Sequence, residues 1–589
     1  MSFNDYFQRE ILTLRRLGRE AMAGNPALEQ FFGAPGRDQD VERLVESFAF
    51  LTARLQQKLG DEMPEITQGL FGLLWPNYLR PLPAASIIQY NSTGNTSTIP
   101  RGTLVESVPV EGTRCQFRTV YDVDLLPLRI VDQRMIERGG TAIIALRFTV
   151  TNGRLQTLPL SRLRIFLSGA DNIPHTLYVS LLHHLKELRF VIKDGGRDGE
   201  SQENVIAVLP PSYVRPLGFL GDEAMLPYPK ATDKSYTILQ EYFCYPEKFL
   251  FVEVSGLEQG FKKDALERFG DTDEFELHFV LDHLPEGYES FQASNWKLFC
   301  TPVINVFPLT AKGQKADQAG KGYKIVPDTQ NPDHYGIYSV EQVGCWTATG
   351  KSGDDYENMD SFERVTSNES TTRYHLRIVP TFDYEKIDAY VQIEETNQED
   401  VLLRIQLLCT NGALPKRLGL GDICIATESA GATSAPFKNI LPILSPLPPP
   451  CATGGILWQL LSNQSLTSIP LTDVAAFRAM IAPYAFRAKY DSAEAKALER
   501  HLQGIRAIKS PATDRVFNGI PRRGAQTRIT MDQSFFACEG AMYLFCGVLN
   551  EFLSMYATVN SFHQLIVKEA AHGNEYIWPP RLGSVIRQQ

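Results

Sequence analysis

The sequence predicts a multidomain, mainly β protein of the α+β kind. We expect a helical N-terminal segment, two β-sandwich or barrel-like domains and an α/β C-terminal domain. Three observations predict this fold class. The first 80 residues have helical periodicity, many segments between about 86 and 435 alternate apolar and polar residues, and helical patterns return after a proline-rich stretch. A chain of 589 residues is also too long for one ordinary core.

We place the domain boundaries where these patterns change. In chain order they are a helical N-terminal segment (1–85), a first β-rich domain (86–310), a second β-rich domain (311–438), a proline-rich linker (439–455) and an α/β C-terminal domain (456–589). The linker carries five prolines between Pro442 and Pro450, which excludes regular structure there. The polar stretch 311–322 could divide the two β-rich domains or could be a long hairpin tip.

The N-terminal segment contains one clear amphipathic helix. Spacings of three and four place its apolar residues on one stripe, formed by Val41, Leu44, Val45, Phe48, Leu51, Leu55 and Leu59. Asp38 or Asp40 can cap the start of this helix, and Gly60 can end it. A second short helix, at about 64–75, must stop before Pro76, and we expect the following residues 77–83 to be extended.

Strand and helix patterns define the later domains. The segment FELHFVL at 275–281 alternates apolar residues with Glu276 and His278, which predicts a half-buried strand. The pattern near the C-terminus predicts a small α/β unit, formed by the segment RITMD, a helix at about 540–556 and the segment HQLIVKEA. That helix carries an apolar stripe at spacings of four, formed by Leu544, Val548, Phe552 and Tyr556. We interpret this stripe as core packing, with a contact between two copies of the chain as the alternative.

The composition limits the partners and the cellular compartment. Lys and Arg total 58 and Asp and Glu total 68, which gives a net charge of −10 without a dense basic block, so we expect no nucleic-acid partner. The first 20 residues lack a basic region followed by an apolar stretch, and the most apolar segment, 540–559, carries Asn550 and Glu551. We therefore expect a soluble, cytoplasmic chain without direct membrane insertion. The nine cysteines include no C-x-x-C pair, which favours reduced thiols over disulfides or a zinc site.

The motifs that carry enzyme chemistry are incomplete. The segment GCWTATGKS at 344–352 has five residues where a phosphate loop needs four, so we interpret it as an exposed loop. His183 and His184 are adjacent, about 100° apart on a helix, and no acidic residue or cysteine joins them and His175 in the sequence. We predict no catalytic residue, no cofactor and no metal site.

Paired acidic residues leave one enzymatic alternative open. The pairs are Asp122/Asp124, Asp271/Asp273 and Glu394/Glu395. A β-rich carbohydrate-active enzyme uses two carboxyl groups that flank the sugar bond. Most acidic residues of this chain fall in turns or on the polar face of strands, where solvation explains them. Such an enzyme would have a deep pocket with two convergent carboxylates.

The unusual residues lie in long stretches of aromatic residues, proline and glycine. They are the segment 48–84, which ends in LFGLLWPNYLRPLPA, PPSYVRPLGFLGDEAMLPY (210–228), EYFCYPEKFLFVEV (241–254), FCTPVINVFPLTA (299–311), the proline-rich boundary with ILWQLLSNQSLT (456–467), and the segment from RITMD to HQL (528–565). In the third of these, Pro246 most simply sets a turn, with partner docking as the alternative. Exposed aromatic and apolar anchors with a polar rim are typical of assembly proteins.

The first of these stretches supplies our candidate partner contacts. Too many apolar residues follow one another for one face of one helix to bury them. The candidates are Phe48, Leu51, Leu55, Leu70, Phe71, Leu74, Trp75 and Tyr78. The alternative is that these residues pack on the first β-rich domain of the same chain.

Together these stretches resemble the TssF (ImpG/VasA) family, a baseplate subunit of the type VI secretion system. The similarity runs in order from the N-terminal helix to the closing YIWPPRLGS (576–584). It implies a structural wedge subunit without catalytic residues or cofactor. A related baseplate subunit of a phage or phage-like contractile tail is an alternative that the residues leave open.

The resemblance also implies partners and a location. These are TssG-like and TssK-like subunits, a second copy of the chain within a wedge, and the VgrG-like spike, TssE-like and sheath proteins of the assembled baseplate. TssK-like adaptors would dock this baseplate at the cytoplasmic face of the inner membrane.

Overall fold

The computed structural model describes most of the chain between residues 76 and 583. The described residues are 7, 43–44, 46–52, 76–153, 155, 158–194, 202–228, 234–259, 273–311, 314–315, 322–346, 352–358, 373–380, 386–393, 402–427, 435–449, 473–517, 519–554, 556–558 and 560–583. The chain divides into two compact units. The first is Met1–Leu79 with Pro449–Ser465, and the second is Arg80–Pro448 with Leu466–Gln589.

The first unit contains the predicted N-terminal helix. Its described residues, 43–44 and 46–52, are helical. The predicted second helix at 64–75 lies outside the described residues. The expectation that residues 77–83 are extended is wrong at its start, because Pro76–Leu79 forms a single 3-10 turn. The fixed φ angle of proline suits the first position of such a turn.

Strands dominate the second unit. In chain order they are β1 (Ala85–Tyr90), β2 (Ser97–Ile99), β3 (Leu104–Val110), β4 (Thr113–Thr119), β5 (Val123–Leu125), β6 (Leu128–Arg138), β7 (Thr141–Val150), β8 (Arg162–Leu167), β9 (Leu185–Asp194), β10 (Gln202–Leu209), β11 (Val214–Pro216), β12 (Phe251–Ser255), β13 (Glu274–Leu281), β14 (Trp296–Leu298), β15 (Cys300–Ile304), β16 (Phe307–Thr310), β17 (Gln314–Lys315), β18 (Tyr323–Lys324), β19 (Gly336–Trp346), β20 (Ser352–Asp355), β21 (Glu357–Asn358), β22 (Arg373–Pro380), β23 (Ile387–Ile393), β24 (Leu402–Thr410), β25 (Ile423–Ala426), β26 (Phe437–Asn439), β27 (Ile505–Lys509), β28 (Ala512–Phe517), β29 (Ile520–Met531), β30 (Phe562–Glu569), β31 (Glu575–Ile577) and β32 (Arg581–Leu582).

The α-helices of the second unit lie between these strands. They are α1 (Ile173–Leu182), α2 (Lys234–Cys244), α3 (Val474–Ile481), α4 (Ser492–Gln503) and α5 (Glu539–Ser554). Asp473 and Asp491 cap α3 and α4, since each carboxylate accepts a hydrogen bond from a backbone N–H of the first turn at 2.8 Å.

The first β-rich region contains three larger sheets. Their strand orders are β25-β3-β4-β15-β1-β26, β10-β9-β13-β7-β6 and β11-β12-β8-β14. The pairings within these sheets are antiparallel, as hairpins and meanders produce. The described strands therefore confirm the mainly β fold class.

The second β-rich region is a sandwich. Its two sheets have the orders β16-β24-β19-β20, with β17 added to β24, and β18-β23-β22-β21. Side chains from both sheets share one buried core, which includes Phe307, Ile337 and Ile405 from the first sheet and Tyr374 and Val391 from the second. Two sheets that bury one apolar layer between them define this architecture.

Strands at 423–439 return to the first region. Ile423–Ala426 lies within the predicted second domain 311–438 and pairs with β3, and Phe437–Asn439, at the end of that domain, pairs with β1. The proline-rich stretch continues along the same edge, where Leu444 and Leu447 bridge to Ala85 and Leu82. We therefore propose that the second β-rich domain ends near Thr410 and that the chain then re-enters the first.

The C-terminal region is the predicted α/β unit. Strands β29 and β30 pair in parallel, and α5 connects them, which makes a β-α-β crossover. The sheet order is β27-β29-β30-β31, with β28 added to β29 and β32 to β30. The helix α5 packs against α1 and α2, so the C-terminal region shares a core with the first β-rich region.

Candidate assembly surface

The N-terminal helix exposes an apolar stripe. Leu44, Phe48 and Leu51, which we call the N-terminal stripe, are 69, 59 and 59% exposed, whereas Ala49 is fully buried. Spacings of four and three place the three side chains on one helical face. Water therefore contacts the face that the sequence marks as apolar, and this pattern is typical of a surface that another molecule covers.

The structure describes three of the eight predicted contact residues. Phe48 and Leu51 belong to the N-terminal stripe. Tyr78 is only 3% exposed, so a partner protein could not contact its side chain. Leu55, Leu70, Phe71, Leu74 and Trp75 lie outside the described residues. The contact surface that can be defined is therefore the helical stripe alone, and the assignment of all eight residues stays a prediction.

The aromatic and proline-rich stretches at 210–254 form internal structure. Lys248 and Glu241 make a fully buried ion pair. The other oxygen of Glu241 accepts hydrogen bonds from the backbone N–H groups of Met225 and Leu226, at 2.8 and 2.9 Å. Pro246 begins a 3-10 turn that ends at Phe249, which confirms the predicted turn. Because a buried charge must be paired, this network fixes the loop before α2 to the turn after it.

A second polar network holds the same loop to the neighbouring sheet. Glu253 accepts hydrogen bonds from Arg164 and Arg215, each at 2.8 Å. Burial opposes ionisation of Glu253, but the two guanidinium groups outweigh it and lower its pKa. Glu223 also contacts Arg215 and accepts the backbone N–H of Gly218 at 2.7 Å. These carboxylates are structural anchors, since arginine or backbone groups occupy their oxygens.

Strand β13 carries polar residues into the interior. The expectation of a half-buried strand is wrong, because Glu276 and His278 are 2 and 3% exposed. Glu276 accepts hydrogen bonds from Arg134 and Arg147, at 2.6 and 3.0 Å, and its second oxygen lies 2.9 Å from Nε2 of His278. The arginines allow the polar face to be buried, because the charge of Glu276 is compensated.

Three cavities lined by described residues do not bring two carboxylates together. One cavity of about 390 Å³ contains Arg101, Arg118 and the Lys248–Glu241 pair. Two open grooves of about 770 and 740 Å³ have no acidic side chain among their lining residues. None of these three spaces therefore has the paired acids that sugar-bond hydrolysis needs.

Among the described acidic residues, the pair Asp122 and Asp124 also lacks a catalytic setting. Asp122 and Asp124 border a cavity of only about 20 Å³, and Asp124 accepts a hydrogen bond from Arg162 at 2.8 Å. Asp271, Glu394 and Glu395 lie outside the described residues. The phosphate-loop-like segment joins β19 to β20, an antiparallel pair rather than a strand and a helix.

The sequence patterns did not predict one cluster of histidine and acidic residues. His184 follows α1, and strand pairing brings it beside Asp282 and His283, which follow β13. Nδ1 of His184 lies 3.2 and 3.3 Å from the two oxygens of Asp282, and Nε2 lies 3.1 Å from Glu539. The expectation that no acidic residue joins these histidines is therefore wrong. The partners are distant in sequence, and only the register of β9 against β13 places them together.

The same cluster shifts several pKa values. Burial opposes ionisation of Glu539, but hydrogen bonds from His184 and Tyr576 outweigh it and lower its pKa to about 2. Burial lowers the pKa of His184, yet Glu539 and Asp282 raise it overall. Burial also lowers the pKa of His183, whose ring lies 4.7 Å from that of His184.

The apolar stripe of α5 is covered by the chain itself. Leu544, Val548 and Phe552 are at most 1% exposed. The rings of Tyr236 on α2 and Phe552 lie 5.5 Å apart, and those of Tyr242 and Phe545 lie 5.7 Å apart. This burial confirms the interpretation of the stripe as core. Among the described residues, no helix has both the length and the apolarity that crossing a membrane requires.

A mainly β chain with internally paired charges and an uncovered apolar helix face has the character of a structural subunit of a larger assembly. Comparison with known proteins gives its family. The family model "Type VI secretion system, TssF" matches residues 1–585. The chain therefore belongs to the TssF family.

Individual relatives agree with this assignment. The Pseudomonas aeruginosa protein "Type VI secretion system component TssF1" is 27% identical over 642 residues, with 98% of both chains covered. A chain of the TssK-TssF-TssG baseplate subcomplex, solved by cryo-electron microscopy, matches with a TM-score of 0.75 and 26% identity over 92% of this chain and 100% of that one. A chain of the type VI baseplate complex has a TM-score of 0.59 and 22% identity over 98 and 99%, which shows the fold alone.

Proposed function

We propose that this chain is a structural wedge subunit of the type VI secretion baseplate and assembles with TssG-like and TssK-like partners. The observation that carries this proposal is the match of the TssF family model to residues 1–585. The similar chain of the TssK-TssF-TssG baseplate subcomplex supports the choice of partners. With a second copy of the chain and with spike, TssE-like and sheath proteins, the wedge forms the platform for sheath and tube assembly at the cytoplasmic face of the inner membrane.

The N-terminal stripe is the partner contact within this proposal. Leu44, Phe48 and Leu51 are more than half exposed on one helical face. Burial of a large apolar side chain contributes roughly 1.5–3 kcal/mol, so three such side chains supply a substantial part of an association energy. A helix from TssG or from a second copy fits this face, because apolar helix faces pack against each other. The other predicted contacts, Leu55, Leu70, Phe71, Leu74 and Trp75, would extend the same surface.

The chain acts without catalysis in this proposal. Its buried carboxylates are held by arginine, lysine or backbone groups, as Glu253, Glu241 and Glu223 illustrate. A general acid or base needs an oxygen that can reach a substrate, and these oxygens already accept other hydrogen bonds. The carbohydrate-active alternative finds no support in the described cavities.

Co-expression with a TssG-like chain tests the proposal. We expect a stable complex whose mass equals a small whole number of copies of each chain. A chain that stays alone under these conditions contradicts the wedge assignment.

Two variants test the surface separately. The double variant Phe48→Glu with Leu51→Glu should fold and lose the complex. The matched control Leu420→Glu, at a leucine that is 63% exposed in the second unit, should keep it. If the double variant assembles like the control, the stripe is not the contact, although the wedge assignment survives.

A further inference from the structure

The strongest unassigned feature is the cluster around His184. Asp282 and His283 directly follow β13, and His184 directly precedes β9, its antiparallel neighbour. The backbone N–H of Asp282 donates to the carbonyl of His184 at 3.0 Å, which fixes the two chain segments to each other. One ligand-type atom from each of the three residues lies within 4.8 Å of the others.

Both ring nitrogens of His184 face carboxylate oxygens. A neutral imidazole has one N–H and one lone pair, whereas an ionised carboxylate only accepts. The Oε1 atom of Glu539 lies 3.1 Å from Nε2 of His184. Once Nε2–H donates to Glu539, the lone pair of Nδ1 faces both oxygens of Asp282, at 3.2 and 3.3 Å. Either a second proton on Nδ1 or a metal ion between Nδ1 and Asp282 satisfies these groups.

A divalent metal beside Nδ1 of His184 would also use the third residue, His283. Nδ1 of His283 lies 2.6 Å from Oδ1 of Asp282, so it points at the same location. Tetrahedral ligands at zinc-type bond lengths are about 3.3 Å apart. The separations at His184 already match this value, and the exposed His283 ring can rotate to reach it.

The surroundings of His184 resemble the outer shell of a metal site. A ligating histidine commonly donates its other N–H to a carboxylate, which fixes the ring and its tautomer. Glu539 plays this part, and the hydroxyl of Tyr576 donates to the same oxygen at 2.7 Å. Glu539 also lies in the first turn of α5, where the helix dipole favours its negative charge.

We propose that His184, Asp282 and His283 form a three-ligand site for a divalent transition metal of the zinc class, with Glu539 and Tyr576 as positioning residues. Two imidazoles and one carboxylate are ligands that zinc accepts, and a water molecule completes such a site. The metal joins the end of β13 to the start of β9, and the contact of His184 with Glu539 links this site to the start of α5. This inference does not depend on baseplate assembly.

Zinc titration of the full-length chain tests the site. The chain is first treated with a chelator at neutral pH. Cys424, an exposed thiol, is replaced by serine in every variant so that binding at sulfur is not counted. We expect one bound zinc per chain by calorimetry and elemental analysis, and a higher midpoint of thermal unfolding with zinc. If the chain binds no zinc, a second proton on His184 alone satisfies its two carboxylate neighbours, and the proposal is overturned.

Variants locate the binding. His283→Ala changes a half-exposed side chain and should fold, and we expect at least ten-fold weaker zinc binding. Glu539→Gln should weaken binding roughly ten- to hundred-fold, as the loss of an outer-shell carboxylate does. The control His572→Ala removes a surface histidine that lies 3.4 Å from Glu569 and should leave affinity unchanged. If the His283→Ala variant retains one zinc at wild-type affinity, the three-ligand site is wrong.

Discussion

Two helices of this chain carry apolar stripes at helical spacings and have opposite surroundings. On α5, Leu544, Val548 and Phe552 are buried, whereas Leu44, Phe48 and Leu51 on the N-terminal helix are more than half exposed. Periodicity therefore locates an apolar face but does not tell which chain covers it. The comparison predicts that substitutions on α5 act on folding, while those on the N-terminal helix act on assembly.

The largest expected effect is the loss of a buried ring on α5. Phe552→Ala should lower the free energy of unfolding by about 3–5 kcal/mol, because it removes apolar contacts and leaves a cavity. The rings of Tyr236 and Tyr484, at 5.5 and 6.2 Å, would line that cavity. Urea unfolding of the isolated chain measures the change. A shift below about 1 kcal/mol would mean that α5 is not core.

Acid should lower the free energy of unfolding through two histidines, His501 and His563. Burial, together with nearby Arg500, lowers the pKa of His501 to about 4, and burial with Arg581 does the same for His563. The unfolded chain binds these protons near pH 6.5, so stability is complete above this value and is lost as pH falls from 6.5 to 4. Each imidazole contributes up to about 3 kcal/mol to this loss.

Unfolding at several pH values checks this expectation, with His501→Leu as the test variant. His501 stacks on Phe536 at 4.8 Å, so an apolar replacement keeps part of the packing. The variant should lose less stability on acidification than the wild-type chain. An identical acid dependence would show that His501 does not titrate in this window.

Substitution by a larger side chain should also affect stability differently on the two helices. A methyl group at Gly540 would overlap the backbone carbonyl of His175 at the contact of α5 with α1. Gly540→Ala should therefore cost about 1–3 kcal/mol, as overpacking does. Leu44→Phe on the N-terminal helix, where the side chain is 69% exposed, should change stability little. Thermal unfolding of both variants compares them directly, and equal losses would contradict a difference in packing.

The smallest effect on folding should come from the N-terminal stripe. Phe48→Ala should change the free energy of unfolding of the isolated chain by less than about 0.5 kcal/mol, because the ring is mostly in water. The same substitution should weaken the complex with a TssG-like chain. Urea unfolding and a binding titration separate the two readouts. A large loss of stability together with unchanged binding would show that Phe48 is a core residue and not a partner contact.

Local patterns predicted much of the fold, and long-range pairing accounts for what they missed. The α/β unit at β29, α5 and β30 follows from periodicity within each element. The return of β26 to pair with β1 joins residues such as Ile88 and Asn439, far apart in the chain, and no local pattern encodes that pairing. The burial of Glu276 was missed for the same reason, since its partners Arg134 and Arg147 come from other strands.

The candidate surface was also predicted only in part from local patterns. Spacing alone placed Phe48 and Leu51 on one apolar face, and the structure shows that face exposed. Tyr78 belongs to an equally apolar stretch, yet it is buried, because composition does not fix the direction of a side chain. The cluster of His184, Asp282 and His283 required the register of two strands before it could be recognised.

Hydrogen exchange of the free chain and of its complex with TssG-like and TssK-like partners tests the central claim most directly. Protected amides report elements whose opening is costly. We predict that residues 539–554 are protected in both states, whereas residues 43–52 become protected only in the complex. Equal protection of residues 43–52 in the free chain and in the complex would contradict the claim that another chain covers the N-terminal stripe.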